Sequence, residues 1–170
     1  MAESTLERTV WVDGTGTSFR VDVKVGPFAL VGDVGPEYGG KDTAPNPYDY
    51  LLISLGTCTA MTVAEYAESR KIPVDRVRVK LTHKSVYALD CKDCHTKEGT
   101  IEELTCEIGV TGPISDEQRK ILLEAVDSCP VKKILTNEVK VRNELVTGPA
   151  AAALTQQPIG GKSAAPTAAS

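Results

Sequence analysis

Hydrophobic and polar residues alternate early in the chain. Phe19, Val21, Val23 and Val25 are interleaved with Arg20, Asp22 and Lys24, the period of a strand with one buried face. Residues 9–13 form a second strand ahead of it, and Gly14-Thr15-Gly16 between them reads as a hairpin turn. Gly26-Pro27 turns the chain again, into a third strand over residues 28–31. Residues 32–45 are glycine-rich, carry Pro36 and Pro45 and show no period, which predicts a loop.

The pattern then changes. Asn46 is a good N-cap, Pro47 suits the first helical position, and Asp49 places a negative charge in the first turn. The helix is predicted to run to about Lys71, with Pro73 stopping it. From Leu51 to Ala64 it is apolar or small on every face, the signature of a helix buried all round. A chain of this size cannot enclose such a helix alone, so a homodimer is expected, the partner covering one side. Residues 76–88 alternate again as a long strand, with Val77, Val79 and Leu81 inward. A polar excursion from Asp90 to Gly99 leads to another strand over residues 101–111, with Leu104, Cys106, Ile108 and Val110 inward. Ser115 and Gln118 form a capping box for a second helix whose apolar face is Ile121, Leu122, Ala125 and Val126. That helix breaks near Cys129-Pro130, a short helical segment follows to Leu135, and residues 138–146 read as a last strand. The order of elements predicts an α+β fold with largely antiparallel sheet. Residues 1–146 read as one domain, and residues 147–170, rich in Ala, Pro, Gly, Gln and Ser, as a low-complexity, disordered tail.

Composition narrows the function. Of 170 residues, 41% are hydrophobic and only 5% aromatic, so the core is built from Val, Leu, Ile and Ala. The net charge of -4 and the absence of a basic block disfavour nucleic acid and anionic membranes as partners. Residues 50–64 are too short to span a bilayer, and the acidic start has no apolar signal region. A cytoplasmic, reducing compartment is therefore expected, with the five cysteines as thiols unless catalysis or a metal holds them.

Two of those cysteines stand out. Cys129 precedes Pro130 at a helix start, where free N–H groups and the helix dipole favour a thiolate; Lys132 and Lys133 add positive charge. Cys58 lies about three turns into the central helix, beyond the reach of its dipole, and no Lys or Arg occurs between Lys41 and Arg70. By local chemistry Cys58 alone reads as a core cysteine and Cys129 as the more acidic thiol. Cys91 and Cys94 form a C-x-x-C beside His95. A structural zinc needs four ligands and only one pair is present, so no metal is expected, and the two read as surface thiols open to oxidation. His83 falls on an inward strand position and reads as a satisfied core histidine, and Cys106 as packing. No hydrolase elbow, zinc-protease motif or phosphate-binding loop occurs, and no cofactor is expected.

The segment from Gly39-Gly40-Lys41-Asp42-Thr43-Ala44-Pro45-Asn46-Pro47 through Ser54-Leu55-Gly56-Thr57-Cys58-Thr59 resembles the OsmC/Ohr family, as does Ser128-Cys129-Pro130-Val131. The resemblance covers about residues 8 to 146 and is closest to a divergent OsmC-like subgroup. It implies antiparallel sheets wrapped around the central helix in an intertwined dimer. It also implies a thiol peroxidase acting on organic hydroperoxides, with Cys58 peroxidatic and Cys129 resolving. The Cys58 sulfenic acid would condense to a Cys58–Cys129 disulfide, which a dithiol reductant resets. Two positions depart from the family's peroxidases. Tyr48, followed by Asp49, stands where they have Glu after Asn-Pro. Gly14-Thr15-Gly16-Thr17 stands where they have an Arg-bearing turn, leaving Arg20 as the nearest guanidinium. Asp49 and Arg20 are thus the supporting candidates. The alternative is an OsmC-like binding or thiol-exchange protein that has lost the peroxidase electrostatics.

Overall fold

The computed structural model describes residues 8–156. Along the chain run β1 (Trp11–Gly14), β2 (Val21–Val25), β3 (Phe28–Gly32), α1 (Pro47–Ser69), β4 (Arg76–Tyr87), β5 (Thr100–Thr111), α2 (Asp116–Ala125), α3 (Pro130–Thr136) and α4 (Gly148–Thr155). This is the expected α+β composition, with every described strand pair antiparallel. The chain divides into two compact units: Tyr48–Val141, and the segments before and after it.

The first unit holds a three-stranded meander, β1-β2-β3, with Trp11 opposite Lys24 and Val25 opposite Phe28. Gly26 makes the second turn with φ of 56°, a left-handed conformation that suits glycine. The loop that follows is ordered by one carboxylate. Asp33 is buried, and its oxygens accept from the N–H groups of Val34 (2.9 Å), Lys41 (3.3 Å) and Thr43 (3.1 Å) and from the Thr43 hydroxyl (2.7 Å). Arg20 Nη1 donates to that same hydroxyl oxygen at 3.2 Å. Gly40 is required for the closure, because a Cβ there would sit 2.0 Å from the Val34 carbonyl oxygen. The glycine-rich stretch is therefore a folded anion cradle around a side chain of its own.

The second unit is built on the β4–β5 hairpin, twelve residues a side, in register from Arg76 opposite Thr111 to Tyr87 opposite Thr100. Cross-strand ion pairs Lys80–Glu107 and Lys84–Glu103 line its exposed face, each worth at most about 1 kcal/mol. The other face meets α1. Gly56 is the close approach: a Cβ there would lie 2.6 Å from Leu81 Cδ1. The core gathers Val63, Ala67, Ile72, Ile114, Leu122 and Val126. Val63 and Leu122 are fully buried, a gain of about 1.5–3 kcal/mol each. Helix α2 begins with the expected capping box, Ser115 and Gln118 each satisfying the other's backbone N–H.

Within one chain α1 is not buried all round, in keeping with the expectation that a single chain cannot enclose it. It buries a single stripe, Leu55, Thr59, Val63 and Ala67, and leaves Leu51, Ile53 and Met61 exposed, Met61 by 69%. One hairpin can cover only one side of a helix. Two expectations are corrected. Residues 138–146 form no strand among the described residues, and Val139, Val141 and Leu145 are exposed, Leu145 by 90%. Their alternation is strand-like, but a ladder needs a facing edge, and the described chain pairs none with them. The predicted tail opens on a helix, α4, since four consecutive alanines favour that state; residues 157–170 lie outside the described residues.

The cradle predicts an acid response. Hydrogen bonds from the Thr43 hydroxyl and N–H, then from Val34 and Lys41, outweigh burial and lower the Asp33 carboxyl from 3.8 to about 2. Its folded-state value is depressed, so its stabilisation is complete above the unfolded value and is lost as pH falls toward 2. Melting temperatures of the native protein and Asp33→Asn should differ most near neutral pH and converge between about pH 4 and 2. A difference that stays constant over that window contradicts the assignment.

Candidate functional site

The buried stripe of α1 contains one polar residue, Thr59, 1% exposed. Cys58 precedes it and is half-buried at the edge of that stripe. On the other side of the site the chain leaves α2 through a tight turn, Val126–Ser128, and enters α3 with Cys129 as N-cap and Pro130 at the first helical position. The turn is held by the Ser128 hydroxyl donating to the Ala125 carbonyl at 2.6 Å and the Cys129 N–H donating to Val126 at 3.0 Å. These constraints fix the Cys129 sulfur, which is fully buried, against α1. The Thr59 hydroxyl donates to it at 3.8 Å across 70 residues of sequence. Cys58 lies near enough to Cys129 for each thiol to act on the other's ionisation. The two cysteines singled out in the sequence thus come to one site.

The pair is electrically unequal. At Cys129, burial opposes the anion, but the N–H of Lys132, the thiol of Cys58, the Thr59 hydroxyl and the N–H of Val131 outweigh it, so the thiol lies below its ordinary value. At Cys58, burial pushes the thiol up and the neighbouring Cys129 pushes the same way; the Val131 N–H and Thr62 oppose this. The start of α3 therefore favours Cys129 as the anion, as local sequence chemistry predicts. Each sulfur acts on the other, so the titration belongs to both.

Other candidates fall differently. The Lys132 ammonium is turned to Asp127, 2.5 Å away, so it is the backbone of Lys132 that serves Cys129. Asp49 lies in the first turn of α1, about two and a half turns from Cys58. Arg20 belongs to the first unit, where it binds Thr43. Tyr48, one of the two departures noted in the sequence, stacks on His83 with ring centroids 5.0 Å apart. His83 Nε2 is 2.5 Å from Glu102 Oε2, so this histidine is satisfied as expected. Cys91 and Cys94 are joined in a disulfide, Cα to Cα 5.5 Å, rather than standing as thiols. With Asp93 they are the one group of potential metal ligands among the described residues; while the S–S bond stands, neither sulfur is a thiolate ligand.

Sequence reasoning missed two residues. Thr59 was visible only as a hydroxyl on the stripe 55, 59, 63, 67. Cys106 was assigned to packing, yet it shares a cavity of about 630 Å³ with Thr59, Leu55, Leu104, Leu135 and Lys132. Burial raises its thiol, while hydrogen bonding to Thr59 lowers it.

A family model described as OsmC-like protein matches residues 40–144, more than half of the chain. No curated protein matches the chain. Among solved structures, an osmotic stress induced and detoxification response protein from Psychrobacter arcticus is 21% identical, with a TM-score of 0.59 over 74% of this chain and 86% of that one. An organic hydroperoxide resistance protein from Legionella pneumophila is 19% identical, with a TM-score of 0.58 over 79% and 92%. One from Elizabethkingia anophelis, crystallised with thiocyanate bound, is 16% identical, with a TM-score of 0.60 over 79% and 91%. At these identities the likeness is one of fold.

The inequality of the pair can be tested through Thr59. Thr59→Val keeps the shape and removes the hydroxyl. The first thiolate to form, followed by absorbance at 240 nm, should appear at higher pH than in the native protein. An unchanged titration curve contradicts the role given to that hydroxyl.

Proposed function

The chain belongs to the OsmC-like family, and from that premise we propose that it is a thiol peroxidase reducing organic hydroperoxides through Cys58 and Cys129. One observation carries this reading: two sulfurs from separate helices act on each other's ionisation, Cys58 half-buried with its thiol raised and Cys129 fully buried with its thiol lowered. Accessibility makes Cys58 the attacker, and acidity makes Cys129 its base.

The Cys129 thiolate takes the Cys58 proton, and the Cys58 thiolate attacks the outer oxygen of the hydroperoxide. An S–O bond forms and the O–O bond breaks. The alkoxide leaves with the proton held by Cys129, as an alcohol. Cys129, again a thiolate, attacks the Cys58 sulfenic acid; hydroxide departs and takes a proton to become water, leaving a Cys58–Cys129 disulfide. An external dithiol restores the pair. Attack at the Cys58 sulfur, the more accessible one, expels Cys129, the better leaving group because it is the more acidic. The need for resetting fits a reducing compartment such as the cytoplasm. No helix among the described residues is long and apolar enough to cross a membrane.

The uncovered face of α1 and the unpaired alternation of residues 138–146 support a homodimer, in which a second copy covers the helix and supplies a strand edge. A second reading, a thiol-exchange protein without peroxidase activity, draws on Tyr48 stacking on His83 where the family's peroxidases place a carboxylate.

Peptide mapping after one equivalent of an alkyl hydroperoxide should give a disulfide joining the peptides of Cys58 and Cys129. Cys58→Ser should abolish peroxide consumption. Cys129→Ser should slow the first turnover about 100-fold or more, as expected for loss of a positioned base, and form no disulfide. Slow, unsaturable consumption with both thiols left free selects the second reading.

A further inference from the structure

A third sulfur stands beside the pair. In the β4–β5 ladder Cys106 is directly opposite Leu81, so the two side chains share a face. Leu81 is the residue that meets Gly56 on α1. Cys106 is therefore presented toward the turn of α1 that carries Cys58 and Thr59. It shares a cavity wall with Thr59, whose hydroxyl donates to the Cys129 sulfur. The field of Cys129 is felt at Cys106, and so is the ammonium of Lys132. One threonine hydroxyl thus links two cysteines that enter the site from a strand and from a helix start.

Cys129 is fully buried, whereas Cys58 and Cys106 are both half-buried, Cys106 in the wall of a cavity of about 630 Å³. A disulfide that keeps Cys58 bound holds that thiol from the next peroxide. One that moved to the cavity wall would release Cys58 and remain open to a reductant.

We propose that Cys106 is a third redox thiol that exchanges into the Cys58–Cys129 disulfide and carries it to the cavity wall. The step rests on the peroxidase reading of the pair and needs no further oxidant. The Cys106 thiolate attacks the Cys129 sulfur. The Cys106–Cys129 bond forms, the Cys58–Cys129 bond breaks, and Cys58 leaves as a thiolate that takes up the proton Cys106 gave up. Two sulfurs are oxidised before and after, so electrons balance. Cys58 is then free to meet a second peroxide while the disulfide waits in the cavity. A dithiol reductant entering there attacks the Cys106 sulfur and expels Cys129, the more acidic partner.

Two arms test this. Native protein is given one equivalent of alkyl hydroperoxide, quenched with an alkylating agent at successive times, and mapped by mass spectrometry. The Cys58–Cys129 bond should appear first and give way to Cys106–Cys129. Separately, Cys58→Ser is oxidised with diamide, which needs no peroxidase activity; it should form the Cys106–Cys129 bond. Native protein holding the Cys58–Cys129 bond unchanged at long times overturns the relay and leaves the pair intact. A Cys58→Ser protein that keeps Cys106 and Cys129 as free thiols under diamide overturns it as well. Native protein in which no Cys58–Cys129 bond ever forms rejects the peroxidase reading, and the relay with it.

Discussion

The start of helix α3 holds a sulfur in a place where burial alone would keep it neutral. Four hydrogen-bond donors, two from the backbone of α3 and two from side chains of α1, make the anion there favourable. Both side-chain donors are neighbours on one turn, Cys58 and Thr59, so the register of a single helix sets the polarity of the site. That register is fixed in turn by the stripe Leu55, Thr59, Val63 and Ala67 and by the close approach of Gly56 to Leu81. A rotation of α1 by one residue would carry Thr59 off the buried stripe and away from the Cys129 sulfur.

This dependence explains why local chemistry and family resemblance give the two cysteines different roles without conflict. The dipole and free N–H groups at a helix start belong to Cys129, which is the acid of the pair. Access belongs to Cys58. In the proposed cycle the attacking thiol need not be the more acidic one at rest, because its neighbour is the base that takes its proton. The cation that the sequence failed to offer Cys58 would then be replaced by an anion. Cys106 extends the same logic, with Thr59 as the group common to two sulfurs.

Much of this was legible in the sequence. The period of two marked β2, β4 and β5, and the capping box at Ser115 located α2. Asn46-Pro47 marked the start of α1, and Cys129-Pro130 the start of α3. What could not be read was relative placement. Thr59 looked like one more small residue in an uncharged helix, because only the buried stripe gives its hydroxyl a direction. Cys106 looked like packing, because its neighbours come from α1 and α3. Arg20 and Lys132 were counted as charges, but their partners, Thr43 and Asp127, are set by the loop and the turn in which each sits. Residues 138–146 carry a strand pattern with no edge in the described chain to pair with, and the uncovered face of α1 carries a core pattern with too little around it. Both discrepancies have the same sign: a pattern of buried positions with no cover among the described residues.

The inequality of the two sulfurs is open to direct observation. In protein labelled with ¹³C at the cysteine Cβ positions, the chemical shifts of Cys58 and Cys129 can be followed separately through a pH titration of the reduced state. The Cys129 resonance should move first, at lower pH, with a smaller simultaneous response at Cys58, whose own main transition comes later. Cys58 deprotonating ahead of Cys129, or the two titrating with no mutual response, would contradict the account of the site.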